Sequence, residues 1–131
     1  MMKWERPARI LVIDDEEQNI RLLTRILEKD GYEQVRWTSN AGEALSIYKD
    51  FNPDLVLLDL RMPGKDGFEV LEEIVAHNGN SQVPVLMLTA DDSAEVRHRA
   101  LALGAKDFVG KPFDSEEVLL RIRNLLETQL L

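Results

Sequence analysis

Hydrophobic positions along the chain fall into short continuous runs and longer segments with helical spacing. The longest unbroken apolar runs span only four residues, as at 10–13 and 55–58, which is typical of buried strands. Segment 18–29 instead carries apolar residues three and four positions apart, as a helix with one buried face does. The pattern predicts strands at 9–13, 35–38, 55–58, 83–88 and 108–109, and helices at 18–29, after Asn40, after Gly67, at 93–103 and from Ser115.

This regular alternation of strands and helices predicts an α/β fold. Strands separated by helices of ten or more residues form right-handed βαβ units, in which a parallel sheet is covered on both faces. A chain of 131 residues fits one such domain, with residues 1–8 as a short tail ahead of the first strand. The sequence shows neither an interdomain linker nor an internal repeat.

Composition excludes several classes of function. The chain has 16 Lys and Arg against 24 Asp and Glu, a net charge of −8, which argues against direct nucleic-acid binding. Without cysteine there is no disulfide, thiolate metal site or cysteine nucleophile, and this fits a cytoplasmic protein. Apolar runs of four residues are too short to cross a membrane.

Polar residues stand where four of the predicted strands end. Asp14 and Asp15 follow the first strand, Asp59 the third, Thr89 the fourth and Lys111 the fifth. If the strand order is 2-1-3-4-5, the first and third strands are neighbours and the three carboxylates converge at one edge of the sheet. Like charges at that distance resist joint ionisation, so a divalent cation would compensate them. Mg²⁺ fits because it favours hard oxygen ligands.

Each of these residues also has an ordinary structural explanation. Asp14 and Asp15 could be an N-cap and an acidic first turn that complement the dipole of the next helix. Asp59 could cap a loop, Thr89 could be a strand residue without a special role, and Lys111 could be a solvated loop lysine. The case for a site therefore rests on their coincidence at one edge of the sheet.

Four segments together resemble the receiver domain of two-component response regulators, over about residues 9–127. The matching segments are ILVIDDE at 10–16, DLVLLDLRMPGKDG at 54–67, PVLMLTA at 84–90 and GAKDFVGKPF at 104–113. The acidic pair alone would be weak support, but four motifs in this order are highly specific. The resemblance implies a five-stranded parallel sheet of order 2-1-3-4-5 with five helices, in a flavodoxin-like three-layer sandwich.

The resemblance also implies a phosphorylation-dependent signalling switch. Asp59 would accept a phosphoryl group from a phosphohistidine of a sensor histidine kinase or phosphotransfer protein. Asp14, Asp15, Asp59 and the backbone carbonyl of Arg61 would hold Mg²⁺, for which Mn²⁺ could substitute. Such a domain assists its own phosphorylation and dephosphorylation and is not a turnover enzyme.

Other roles follow from the same resemblance. Lys111 would pair with Asp59 and then with the phosphoryl oxygens, and Thr89 would hydrogen-bond the phosphoryl group, which makes both catalytic residues. Thr89 and Phe108 would form the conformational switch; Phe108 stands where the family often has Tyr, so a hydroxyl-dependent switch is excluded. Arg61 and Asp91 match positions that flank the approach of water and set the rate of dephosphorylation.

The resemblance places the output on the surface formed by the fourth helix, fifth strand and fifth helix. This surface would contact an output domain or target protein, and could also form a homodimer. The helix over residues 115–131 continues without Gly or Pro, so we expect it to run on into an output domain that is missing here. A free-standing receiver is the competing interpretation. The resemblance also predicts a cis peptide bond at Lys111–Pro112.

Three alternatives to this interpretation are weaker. An aspartate-nucleophile phosphatase of the haloacid dehalogenase type has a second Asp two places after the nucleophile, where this chain has Arg61. Nucleotide-binding glycine loops and the EF-hand spacing are absent from the sequence. A phosphorylation-silent interaction domain usually lacks the acceptor or a residue of the acidic pocket, and this chain has all of them. Residues 97–99 on the fourth helix are interpreted as a solvated face.

Overall fold

The computed structural model describes residues 7–62, 64–78, 83–91 and 93–130. Its strands are β1 (Arg9–Ile13), β2 (Gln34–Thr38), β3 (Leu55–Asp59), β4 (Val85–Thr89) and β5 (Asp107–Gly110). Its helices are α1 (Glu17–Lys29), α2 (Ala44–Phe51), α3 (Gly67–Asn78), α4 (Ala94–Ala102) and α5 (Ser115–Leu130). Every predicted strand and helix is present, with boundaries within a few residues of those predicted.

The strands form a parallel sheet in the order β2-β1-β3-β4-β5, which is the order that the resemblance to receiver domains implies. Ile13 pairs with Leu58, Asp59 with Leu88 and Thr89 with Gly110, so the carboxyl ends of four strands lie side by side. Because parallel strands all end at the same edge of a sheet, that edge collects the polar residues that follow them.

The sheet is buried between two helical layers, which makes three layers in all. Leu11 and Ile13 pack into a core with α2, α3 and α4, whereas Ile10 and Val12 pack into a second core with α1 and α5. Burial on both faces explains why the central strands are continuously apolar rather than alternating. No helix within the described residues is long and apolar enough to cross a membrane.

Three details near the ends of elements differ from prediction or extend it. Asp114, rather than Ser115, caps α5, because its carboxylate accepts the Glu116 amide at 2.9 Å and Ser115 is already helical. Asn40 caps a short 3-10 turn, Ala41–Glu43, that precedes α2. Ala8 is buried in the core and so is not part of a free tail. Residues 1–6 of the predicted tail and residue 131 of the predicted last helix lie outside the described residues.

Candidate functional site

Three carboxylates meet at the carboxyl edge of the sheet. One oxygen from each of Asp14, Asp15 and Asp59 lies within 4.8 Å of the others. The pairing of Ile13 with Leu58 causes this, because it sets the first residue after β1 beside the last residue of β3. Asp14 and Asp59 are only 1% and 5% exposed, and Asp15 is half-buried. The convergence predicted from the strand order is therefore confirmed.

Lys111 supplies a cation to this group. Its Nζ lies 3.1 Å from Asp14 Oδ2 and 3.4 Å from Asp59 Oδ1, and its side chain is largely buried. The Lys111 amide donates to the Thr89 carbonyl at 2.7 Å, which ties the chain after β5 to the end of β4. The Lys111–Pro112 peptide bond is cis, as predicted.

The electrostatics of the group are dominated by buried negative charge. Burial, and next the charge of Asp14, raise the pKa of Asp59 from its ordinary 3.8 to about 6, although Lys111 and a backbone hydrogen bond from Arg61 oppose the increase. Asp14 Oδ1 accepts the Glu16 amide at 2.9 Å, so one of its oxygens is already used. One lysine thus faces three carboxylates, and the site holds an excess of negative charge.

The two residues assigned to the switch lie beside this group on neighbouring strands. Thr89 is fully buried, and its Oγ1 accepts the Asp91 amide at 3.2 Å. Phe108 pairs with Met87 across the sheet, two residues before Thr89. Its ring is also buried, and the guanidinium of Arg97 lies 5.5 Å from its centroid.

Arg61 and Asp91 form an ion pair at the rim of the site. The Arg61 Nη2 lies 3.0 Å from Asp91 Oδ2. A hydrogen bond from the Ser93 backbone, followed by one from the Arg61 side chain, lowers the pKa of Asp91. The pair joins the loop after β3 to the loop after β4, so the two flanking positions named from the sequence are in direct contact.

A pocket of about 500 Å³ opens beside the acidic group, and it includes residues that the sequence did not single out. The guanidinium of Arg99 lies 4.0 Å from the centroid of the Phe68 ring, so α4 is joined to the start of α3. Residues 97–99 are exposed, as predicted, yet the guanidinium groups of Arg97 and Arg99 each lie over an aromatic ring. Residues distant in sequence make these contacts, so periodicity gives no signal for them. The pocket is lined by Asp15, Leu60, Arg61, Met62, Asp66, Phe68, Asp91, Val96 and Arg99.

The fold and the site together define a class of protein: a doubly wound α/β signalling domain with an acidic group and one lysine at the carboxyl edge of its sheet. The chain belongs to the response regulator receiver domain family, whose model matches residues 10–123. It is therefore a receiver domain of a two-component system, and receiver domains are signalling domains rather than classical enzymes.

Individual relatives agree with this family. The chain is 38% identical to regulatory protein AtoC of Escherichia coli strain K12 over 121 residues, which cover 92% of this chain and 26% of AtoC. The chemotaxis protein CheY4 of Vibrio cholerae superposes with a TM-score of 0.85 at 28% identity, covering 92% of this chain and 99% of that one. In the CheX-CheY-BeF3-Mg complex of Borrelia burgdorferi, the similar chain gives a TM-score of 0.85 at 31% identity, covering 91% of this chain and 89% of that one.

The match covers only part of some of these relatives. The chain spans from about a quarter to about half of the length of several curated relatives, 26% in one and 51% in another. Several of these longer proteins are named as transcriptional regulators.

Proposed function

We propose that Asp59 accepts a phosphoryl group from a histidine kinase or phosphotransfer protein, with a divalent cation bound beside it. The observation that carries this proposal is the meeting of Asp14, Asp15 and Asp59 within 4.8 Å, next to the amine of Lys111. Phosphorylation changes the conformation of the surface formed by α4, β5 and α5, and the changed surface controls an output.

The donor set fits Mg²⁺. Its ligands are all oxygens: three carboxylates and, in the proposal, the backbone carbonyl of Arg61, which is the chemistry that Mg²⁺ and Mn²⁺ accept. Burial and, second, the charge of Asp14 raise the pKa of Asp59, so the surroundings disfavour its negative charge and a bound cation would offset that cost. The name of the solved Borrelia burgdorferi complex, which contains a similar chain, includes Mg²⁺.

The chemistry assigned to this chain is mostly positioning and charge neutralisation, as is usual for phosphoryl transfer. A carboxylate oxygen of Asp59 forms a bond to phosphorus as the bond to the donor nitrogen breaks, and the nitrogen leaves with the electron pair. Lys111 Nζ lies 3.4 Å from Asp59 Oδ1. After transfer, this amine would pair with the negatively charged phosphoryl oxygens. A bound divalent cation supplies further positive charge to those oxygens.

Thr89 and Phe108 are proposed to pass the change from the site to the surface. Phosphoryl oxygens are acceptors, so the Thr89 hydroxyl, which now accepts from the Asp91 amide, would turn to donate to them. Phe108 is already buried in this structure, with Arg97 beside its ring, so phosphorylation would hold the ring in place. Shifting a two-state equilibrium from 1:99 to 99:1 takes about 5.5 kcal/mol. A charge-assisted hydrogen bond supplies about 1.5–3 kcal/mol. Contacts made only in the phosphorylated state, such as that of Lys111 with the phosphoryl oxygens, must therefore supply the rest.

The partners follow from the same role. We propose that this receiver is the input module of a longer protein, working in the cytoplasm and acting through an output domain or a target protein. The greater length of AtoC and of the transcriptional regulators supports this arrangement. A homodimer through the α4-β5-α5 surface is one way in which the signal would be transmitted. Direct binding of nucleic acid by these residues is disfavoured, because the chain carries a net charge of −8.

Mass spectrometry after incubation with acetyl phosphate and Mg²⁺ tests the proposal. We expect one added phosphoryl group on the wild type, and none after chelation or in Asp59→Asn. The matched control is Asp50→Asn, which removes an exposed carboxylate paired with Arg36 and should leave labelling intact. Labelling that persists in Asp59→Asn would refute the assignment of the acceptor.

A further inference from the structure

The first residue of helix α3 lies directly against the backbone of the acceptor residue. The Gly67 amide donates to the Leu60 carbonyl at 2.7 Å, which closes the loop that leaves β3. The Leu60 carbonyl belongs to the Leu60–Arg61 peptide, which is next along the chain from the Asp59–Leu60 peptide, so the start of α3 is fixed to the backbone one residue after the proposed acceptor. The position of this helix and the position of Asp59 are therefore linked through a backbone contact.

No side chain fits at Gly67. An added Cβ would lie 2.4 Å from the Asp59 carbonyl oxygen, 2.6 Å from Leu60 Cα and 2.9 Å from the Leu60 carbonyl oxygen. All three atoms belong to the backbone, so no flexible side chain can rotate away to make room. Any residue other than glycine must push either the start of α3 or the end of β3 out of place.

The requirement at Gly67 is one of space rather than of backbone conformation. Gly64 and Gly104 have φ values of +83° and +114°, a region that residues with a side chain rarely adopt, whereas Gly67 is not among the residues with positive φ. At Gly104 the three atoms nearest to an added Cβ, the first at 2.9 Å, all belong to the Val75 side chain. The two glycines are thus constrained for different reasons and in different places.

We propose that Gly67 is a positioning residue for phosphoryl transfer. The missing side chain lets α3 pack on the Asp59–Leu60 peptide and so holds the acceptor carboxylate and the Arg61 carbonyl at their distance from Asp14. This inference rests on the proposed role of Asp59 as acceptor. Displacement of a reacting group by about 1 Å can lower a rate by about 100-fold, so a small shift of the backbone is enough to matter.

The test compares Gly67→Ala with Gly104→Ala in the same chain. For each variant, urea unfolding gives the stability, acetyl phosphate with Mg²⁺ gives the initial rate of labelling, and the rate against Mg²⁺ concentration gives the half-saturating concentration. We expect both variants to lose stability. Gly67→Ala should also label roughly 10- to 100-fold more slowly and require more Mg²⁺, because the acceptor and the Arg61 carbonyl are displaced. Gly104→Ala should keep both kinetic values close to those of the wild type.

The outcomes separate this inference from the proposed function. A wild type that takes no phosphoryl group overturns the proposed function and this inference with it. A labelled wild type, together with a Gly67→Ala variant that keeps the wild-type rate and Mg²⁺ requirement, overturns the role of Gly67 alone. If Gly67→Ala is unfolded, the measurements are repeated in sucrose, which favours the folded state. A variant that stays unfolded there shows that Gly67 acts on folding rather than on positioning, which also overturns the proposal.

Discussion

Replacing the carboxylate of Asp59, the proposed acceptor, by an amide should stabilise the metal-free protein at neutral pH. Asp59 is 5% exposed and lies beside Asp14, and these surroundings oppose its charge more than Lys111 favours it. In Asp59→Asn the side chain keeps nearly the same shape but carries no charge. The cost of holding a third carboxylate at this edge of the sheet is then removed, while Lys111 keeps its contact with Asp14 at 3.1 Å.

The magnitude follows from the pKa of Asp59, which burial and Asp14 raise from 3.8 to about 6. Since one pKa unit corresponds to about 1.36 kcal/mol, the charged form costs the folded state about 3 kcal/mol. Because the pKa of Asp59 is higher in the folded state than in the unfolded chain, its ionisation does not lower the free energy of unfolding below the unfolded-state pKa of 3.8. The free energy of unfolding then falls as the pH rises through the folded-state pKa of about 6. The gain in Asp59→Asn should therefore be about 3 kcal/mol at pH 7.5 and about 1 kcal/mol at pH 4.5.

Urea unfolding in the presence of a chelator measures this difference. The wild type and Asp59→Asn are compared at each pH, because carboxylates that do not interact with Asp59 change the stability of both proteins equally. Glu72→Gln, which removes an exposed carboxylate on α3, is the control and should change little at either pH. An increase in the free energy of unfolding that is the same at both pH values, or a decrease at pH 7.5, would refute the reasoning. Added Mg²⁺ should reduce the difference in stability between the two proteins, because it binds the folded wild type better than the variant.

Three further predictions concern the conformational switch, the lifetime of the phosphoryl group and the contact between α3 and α4. Thr89→Ala should accept the phosphoryl group, but its α4 conformation should change only weakly, as measured by the NMR chemical shifts of α4 before and after phosphorylation. Chemical-shift changes as large as those of the wild type would contradict the role of Thr89. Arg61→Ala opens the 3.0 Å pair with Asp91 and should speed loss of the phosphoryl group, followed by mass spectrometry over time; an unchanged or slower loss rejects the pair as a gate. Arg99→Leu removes the contact with Phe68 and should lower the free energy of unfolding by about 0.5–1 kcal/mol, measured by urea unfolding against His98→Leu.

Much of the fold can be read from local pattern because the sheet is buried on both faces. Strands β3 and β4 are continuously buried, so their apolar residues stand out as short runs between polar loops. Helices α1 and α5 each bury one stripe, which gives the spacing of three and four residues. Local pattern does not set the boundaries of the elements: Asp114 and Ser115 are both good capping residues, and only the geometry of the chain chooses between them.

The residues of the candidate site were identified from sequence, whereas their convergence could be predicted only with the strand order that the family resemblance implies. Asp14 and Asp59 are 45 positions apart, and they meet because β1 lies next to β3 in the sheet. Local residues cannot set that order; it depends on how both helical layers cover the sheet. The raised pKa of Asp59 likewise depends on burial and on the neighbouring charge, which are properties of the assembled edge.

The sequence by itself thus determined the alternation of strands and helices, the polar residues at the strand ends and the family to which they point. Tertiary structure decided the features that depend on contacts between distant segments. Gly67 is the clearest example: in the sequence it is one of several loop glycines, and the structure places it 2.4 Å, measured from an added Cβ, from the Asp59 carbonyl oxygen. The physical reason is that periodicity records which face of an element is buried, whereas packing distance depends on the element that covers it.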